Sequence, residues 1–220
     1  ILFTAEKQSN VHIQKNNRNI FQKYGIDIDN EILFGYNVDD GVKASRVLKD
    51  GYGQCNTKGT LFMALLRASG IPCRIHGFTI DKILQKGAMT GLVYKFAPDE
   101  IFHSYVEAYV CGEWYNLEGF ILDKKYLSAL QKIFKPNNDG SFIGYGVATK
   151  NFINPPVEFN CCDTYIQKEG IVRDFGVYDE PDSLLREHGQ TMNLLKKCVY
   201  RLIGRHLMNN NVKKIRNRSV

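Results

Sequence analysis

Cys55 follows Gly51-Tyr52-Gly53-Gln54 and precedes an apolar run, a placement that suits a thiol nucleophile. From Asn56 to Ser69, Leu61, Phe62, Leu65 and Leu66 form one stripe at helical spacing. Gly70 and Pro72 then stop the helix. A thiol at the mouth of a helix is favoured as thiolate, because unpaired N–H groups and the positive dipole end face it. The flanking glycines let the backbone turn sharply and leave room for a substrate. The competing reading is a small apolar residue packed at a helix start.

His103 opens the second chemical element. Residues 103–110 and 114–118 are β-rich and flank Cys111-Gly112-Glu113, which predicts an antiparallel hairpin. His103, Tyr105 and Glu107 share one strand face, and Trp114, Asn116 and Glu118 alternate likewise on the neighbour. An imidazole beside an acid has its tautomer fixed and its imidazolium stabilised. The competing reading is a half-buried sheet histidine. His76, in the strand candidate CRIHGFTI, has no acidic neighbour along its strand and reads as structural. His12, His188 and His206 read as solvated.

These groups need a mixed scaffold to hold them. Residues 10–24 and Val42–Leu48 read as short helices, and the stretch from Gly25 to Asp40 as loop with one short strand near Ile32–Tyr36. Residues 136–182, rich in Gly, Pro and Asn, read as ordered but irregular. Ser183 opens a long helical pattern through Met208, with Leu184, Leu185, Met192, Leu195, Val199, Leu202, Ile203 and Leu207 as its apolar face. That stripe is expected to pack on the core with its charges in water.

Composition narrows the function classes. The chain has 220 residues, 44% hydrophobic and 24% charged, which excludes a mainly disordered chain. No apolar run approaches the ~18 residues of a membrane-spanning helix. The formal charge of +6 is uneven: residues 1–182 carry a net −2 and residues 183–220 a net +8. A nucleic-acid function would therefore rest on the tail alone, at residues 196–218, and none is expected. Six cysteines without a C-x-x-C pair read as reduced thiols, which points to a cytoplasmic setting. The first residues carry no signal-peptide pattern. No metal or cofactor motif is present in the sequence: there is no Walker A, G-x-G-x-x-G or EF-hand pattern.

The segments ASRVLKDGYGQC, LFMALLRASGIPCRIHGF and HSYVEAYVCGEWYNLEGF, taken together, resemble the transglutaminase-like cysteine protease superfamily over residues 44–123. That family pattern runs Gly-x-Cys, an apolar helix ending R-A-x-G-I-P-x-R, a strand, His-x-Trp-x-Glu and then Trp-x-x-x-Asp. Gly-Gln-Cys also matches the animal transglutaminase nucleophile motif, and ALLRASGIPCR is typical of the bacterial branch. The resemblance implies an α+β, papain-like core with the nucleophile at the N-terminus of a helix packed on an antiparallel sheet, plus a C-terminal helix. Residues 1–135 would form the catalytic core and 136–220 a cover within the same domain.

By the same resemblance Cys55 is nucleophile, His103 general base and acid, and Glu118 the orienting third member. Asn116 and Asp123 are alternatives for that third place, and Glu107 is expected to support His103. Glu118 stands where the family usually has Asp, and Tyr105 where it has Trp. The Cys55 N–H would be one oxyanion donor, with Tyr36, Asn37 and Tyr52 as candidates for the second. The implied activity is acyl transfer on amide bonds of a protein or peptide through a thioester. Hydrolysis, as protease or deamidase, is the leading reading. Transglutaminase activity and a non-catalytic binding module are the alternatives. The missing paired C-x-x-C zinc ligands speak against peptide N-glycanase activity.

Overall fold

The structure, a computed structural model, describes Ile28 and residues 31–218. The helix expected at 10–24, and His12 within it, lie outside the described residues. Strand β1 (Leu33–Phe34) pairs in parallel with β2 (Tyr52–Gly53), bracketing helix α1 (Ala44–Asp50). Gly51 closes α1 in a left-handed conformation at φ 70°, donating its N–H to the Val47 carbonyl. Helix α2 (Cys55–Ala68) follows, with Cys55 as its first residue.

A four-stranded antiparallel sheet supports that helix, in the order β5 (Glu113–Leu117), β4 (Glu100–Val110), β3 (Cys73–Asp81), β8 (Ile171–Tyr178). Helix α2 lays Leu61, Phe62 and Leu66 into the main core with Ile75, Val106 and Phe120. Between β3 and β4 lies the short helix α3 (Gly91–Phe96), and after β5 comes α4 (Lys124–Ile133). Asp123 caps α4 by accepting the Tyr126 N–H at 2.9 Å, and Tyr126, Leu127, Ala129 and Leu130 are its buried face. A small hairpin, β6 (Phe142–Gly144) with β7 (Val147–Thr149), stands apart from the sheet.

The stretch expected to be irregular contains strand β8, which escaped notice because Gly176 interrupts it and its side chains are mostly exposed. The long helix expected over residues 183–208 is divided. It runs as α5 (Pro181–His188), α6 (Leu194–Val199), a π-helical turn at Tyr200–Gly204 and α7 (Arg205–Asn217). The break has local causes: the chain leaves α5 at Gly189, Gln190 accepts the Phe102 N–H at 2.9 Å, and Asn193 starts α6 as N-cap. Leu184 packs on Gly77, where a Cβ would lie 2.2 Å from its methyl group, so a larger residue would force the Leu184 side chain to shift.

The expected packing of the whole Leu184–Leu207 stripe is corrected by the structure. Leu184 is buried, but Leu195, Val199, Leu202, Ile203 and Leu207 are exposed. The tail docks instead through Met208, Val212 and Ile215, and through three polar anchors. Asn209 exchanges hydrogen bonds with the Tyr36 backbone, Asn211 donates to the Gly87 and Ala88 carbonyls, and Arg216 pairs with Asp123 at 2.7 Å. Among the described residues, no helix is long and apolar enough to cross a membrane.

His76 on β3 has acidic partners that its own strand does not reveal. Nδ1 meets Glu107 of β4 and Nε2 meets Asp174 of β8, each at 2.7 Å. Burial alone would lower the imidazole pKa, but these two carboxylates outweigh it and raise it above 6.5. A raised folded value stabilises fully below the unfolded pKa and is lost as pH rises through the folded one. The difference in Tm between the parent and His76→Gln should therefore be largest in mild acid and shrink toward alkaline pH; a gap that grows with pH would contradict this clamp.

Candidate active site

The turn before Cys55 is built by Gln54, Thr57, Asn37 and Asp40. Gln54 and Thr57 form a reciprocal capping box, with the Gln54 N–H donating to Thr57 Oγ1 at 3.1 Å. Gln54 Oε1 accepts the Asn37 N–H at 2.7 Å, and its Nε2 donates to Asp40 at 3.0 Å. The Thr57 hydroxyl donates in turn to Asn37 Oδ1 at 2.6 Å. Every polar end of Gln54 is thus used to hold the helix entrance, with Cys55 next in the chain.

A second brace joins that entrance to the strand bearing the histidine. Ser104 donates to Asn56 Oδ1 at 2.7 Å, linking the residues next to His103 and Cys55. The imidazole is buried, with Phe78 edge-on at 4.9 Å between ring centroids. Its Nε2 faces Glu118 Oε1 at 3.6 Å, and neither atom has a hydrogen-bond partner among the described residues. Cys55 is close enough to act on the same ring electrostatically.

Glu118 is held from a distant part of the chain. Its Oε2 accepts the backbone N–H groups of Ile166 and Gln167, both at 2.8 Å. Thr164 ties down the backbone, its hydroxyl accepting from the Glu118 and Gly119 N–H groups at 3.1 and 3.0 Å. Gly119 is obligatory, since a Cβ there would sit 2.3 Å from the Val157 carbonyl oxygen. In the hairpin register Val106 faces Leu117, so the direct neighbour of Glu118 is Tyr105, and its carboxylate reaches His103 diagonally.

Electrostatics follow from this enclosure. Burial alone would push the His103 pKa down, but the charges and hydrogen bonds of Cys55 and Glu118 outweigh it and lift it to about 9. Asp40 is raised by burial, against hydrogen bonds from Asn56 and Gln54 and the nearby His103. Tyr36 and Tyr200 are raised chiefly by burial, with Cys55 contributing to both. The Tyr200 hydroxyl donates to the Asn37 carbonyl at 3.0 Å, so the C-terminal segment reaches the entrance of α2.

Of the residues singled out from sequence, Cys55, His103 and Glu118 come together. Asn116 does not join them: its amide donates to Asp163 and to the Tyr165 hydroxyl. Asp123 is elsewhere, taken up by the Tyr126 and Phe34 N–H groups and by Arg216. Glu107, expected beside His103, instead bonds Arg74 at 2.6 Å and His76. Two candidate oxyanion donors are committed too, Tyr36 to Gln85 and the Asn37 amide to the Tyr52 carbonyl. Tyr52 lines a cleft of about 370 Å³ with Val38, Val42, Arg46, Asp50 and Arg205. Sequence reasoning missed Thr164, Ile166 and Gln167, because backbone donors in a loop leave no residue-type signature.

Compared with known families, residues 12–119 match the model of the transglutaminase-like superfamily. Over those residues the chain carries a transglutaminase-like domain. The matched span contains Cys55, His103 and Glu118 and ends at Gly119, so the residues that hold Glu118 Oε2 lie beyond it. Comparison with curated proteins and with solved structures gave no match.

Proposed function

We propose that this protein is a thiol-dependent acyl-transfer enzyme acting on amide bonds, with hydrolysis as the main outcome. The observation that carries the reading is a pair of buried atoms, His103 Nε2 and Glu118 Oε1, which face each other and have no other partner among the described residues. Burying such atoms without full hydrogen bonds is costly, which a purely structural trio has no reason to bear. The Cys55 thiolate attacks the amide carbon, and the carbonyl π electrons move onto oxygen. The Cys55 N–H, outside the helix ladder at the first helical position, is placed to meet that charge. Collapse breaks the C–N bond while imidazolium His103 gives its proton to the leaving amine. Water then adds to the thioester, His103 takes its proton, and the thiolate leaves. Glu118 holds the imidazole orientation and its positive charge throughout.

Residues 136–220 are part of the same working unit in this reading, because Ile166 and Gln167 anchor Glu118. A free nucleophilic thiol suits a reducing compartment, and all six cysteines are unpaired. The second reading, a non-catalytic module, draws on the enclosure of the site: Cys55 is 8% exposed, His103 2% and Glu118 0%. Mass spectrometry of a glutamine-containing peptide pool, with and without an added primary amine, separates the outcomes. Backbone cleavage or a gain of about one dalton marks hydrolysis, and amine incorporation marks transglutaminase activity. A pool unchanged under both conditions would refute acyl transfer on such amides.

A further inference from the structure

The C-terminal segment presents four rows at a spacing of four residues, which make three faces. Tyr200, Gly204, Met208, Val212 and Arg216 face the body: Tyr200 bonds Asn37, the next three are buried, and Arg216 pairs with Asp123. A second face, made of two adjacent rows, is apolar and open. Leu194 is 87% exposed, Leu195 74%, Leu202 69%, Ile203 56%, Leu207 54% and Val199 50%. All of α6 is exposed, so this face rests on nothing among the described residues. Lys197, Arg201 and Arg205 form the fourth row, and among the described residues none of them makes an ion pair.

We infer that this segment is a membrane-surface anchor that lays its apolar face into an anionic lipid leaflet. Six large apolar side chains on one helical stretch exceed the scattered exposure that is ordinary on a protein surface. From His188 to Val220 the chain holds eight Lys and Arg and no Asp or Glu, so its charge complements acidic headgroups. A polar face rich in Lys and Arg beside a Leu- and Ile-rich face is the pattern of helices that lie in the interface plane. Long Lys and Arg stems let the cations reach headgroups while the leucines enter the acyl boundary. The same charge opposes pairing with a second copy, which would bring two acid-free helices together. Nucleic acid would neutralise the cations but leave the leucines in water.

The test is co-sedimentation of the full chain with phosphatidylcholine vesicles, with and without added phosphatidylserine. Two double variants on exposed positions accompany it, Leu195→Ser with Leu202→Ser and Lys197→Glu with Arg201→Glu. Circular dichroism checks that each remains folded. Binding should require phosphatidylserine, weaken as salt is raised, and fall in both variants. The charge reversals should weaken it by at least about thirtyfold, from about fivefold per cation near an anionic surface. No binding to the charged vesicles, or equal binding to uncharged ones, overturns the proposal. So does a dimer in light scattering that the leucine variant dissolves, or duplex DNA binding that survives that variant.

Discussion

Replacing Cys55 by Ala is expected to remove the fastest iodoacetamide-reactive thiol and, with it, all acyl transfer. The comparison is internal, since Cys111, Cys162 and Cys198 are exposed whereas Cys55 is buried. By access alone the exposed thiols should react first. In the acyl-transfer reading Cys55 is activated by His103 and should react faster in spite of its enclosure, because the thiolate is the reacting species. Loss of the attacking atom leaves no covalent route, so turnover should fall by about 10⁴-fold or more. Time-resolved peptide mapping near neutral pH decides the first part. If Cys55 labels no faster than Cys111, Cys162 or Cys198, the activated-thiolate reading fails and the non-catalytic one gains.

Glu118 should give the second largest effect, and two substitutions separate its roles. Glu118→Ala strips the acceptor from the Ile166 and Gln167 N–H groups and leaves a buried imidazolium without its partner. Breaking one side of a buried pair costs about 3–5 kcal/mol, so a large drop in Tm is expected. Glu118→Gln can keep its carbonyl oxygen on the two backbone donors and so retain most of the stability. Its amide then confronts His103 Nε2 with neutral groups only, and activity should fall by about 10²–10⁴-fold. The pH profile gives a further readout. In the acyl-transfer reading His103 is an acid only while protonated, so activity should decline as pH rises through about 9. Without the carboxylate that decline should begin at lower pH. The same sign governs stability: a raised histidine pKa stabilises fully below 6.5 and loses that contribution through about 9. A Glu118→Gln protein with an unshifted alkaline limb would remove Glu118 from the role of orienting group.

Local pattern in the sequence reached the parts of the fold with strong periodicity. The apolar stripe and Gly70 placed α2 within one residue of its ends, and the Cys111-Gly112-Glu113 turn placed the β4–β5 hairpin. Cys55 and His103 were legible because a helix mouth and a strand face each carry a chemical expectation. Strand β8 was hidden by Gly176 and its exposed side chains, and the tail misled in the opposite direction. Leu195 and Leu202 look like core from spacing alone, yet spacing cannot say whether a helix face meets protein or something else. His76 shows the same limit, since its two carboxylates come from neighbouring strands rather than from its own.

The anchoring of Glu118 by Ile166 and Gln167 also sets a clock on biosynthesis. Those donors lie 48 and 49 residues downstream, so a ribosome has made all three members of the site well before the third can be secured. At 5–20 residues per second that interval is roughly 2–10 s. The last clasp, Arg216 on Asp123, waits for the end of the described chain. In the acyl-transfer reading, a growing polypeptide therefore carries its thiol with the imidazole's partner still loose until residues 166 and 167 have been made.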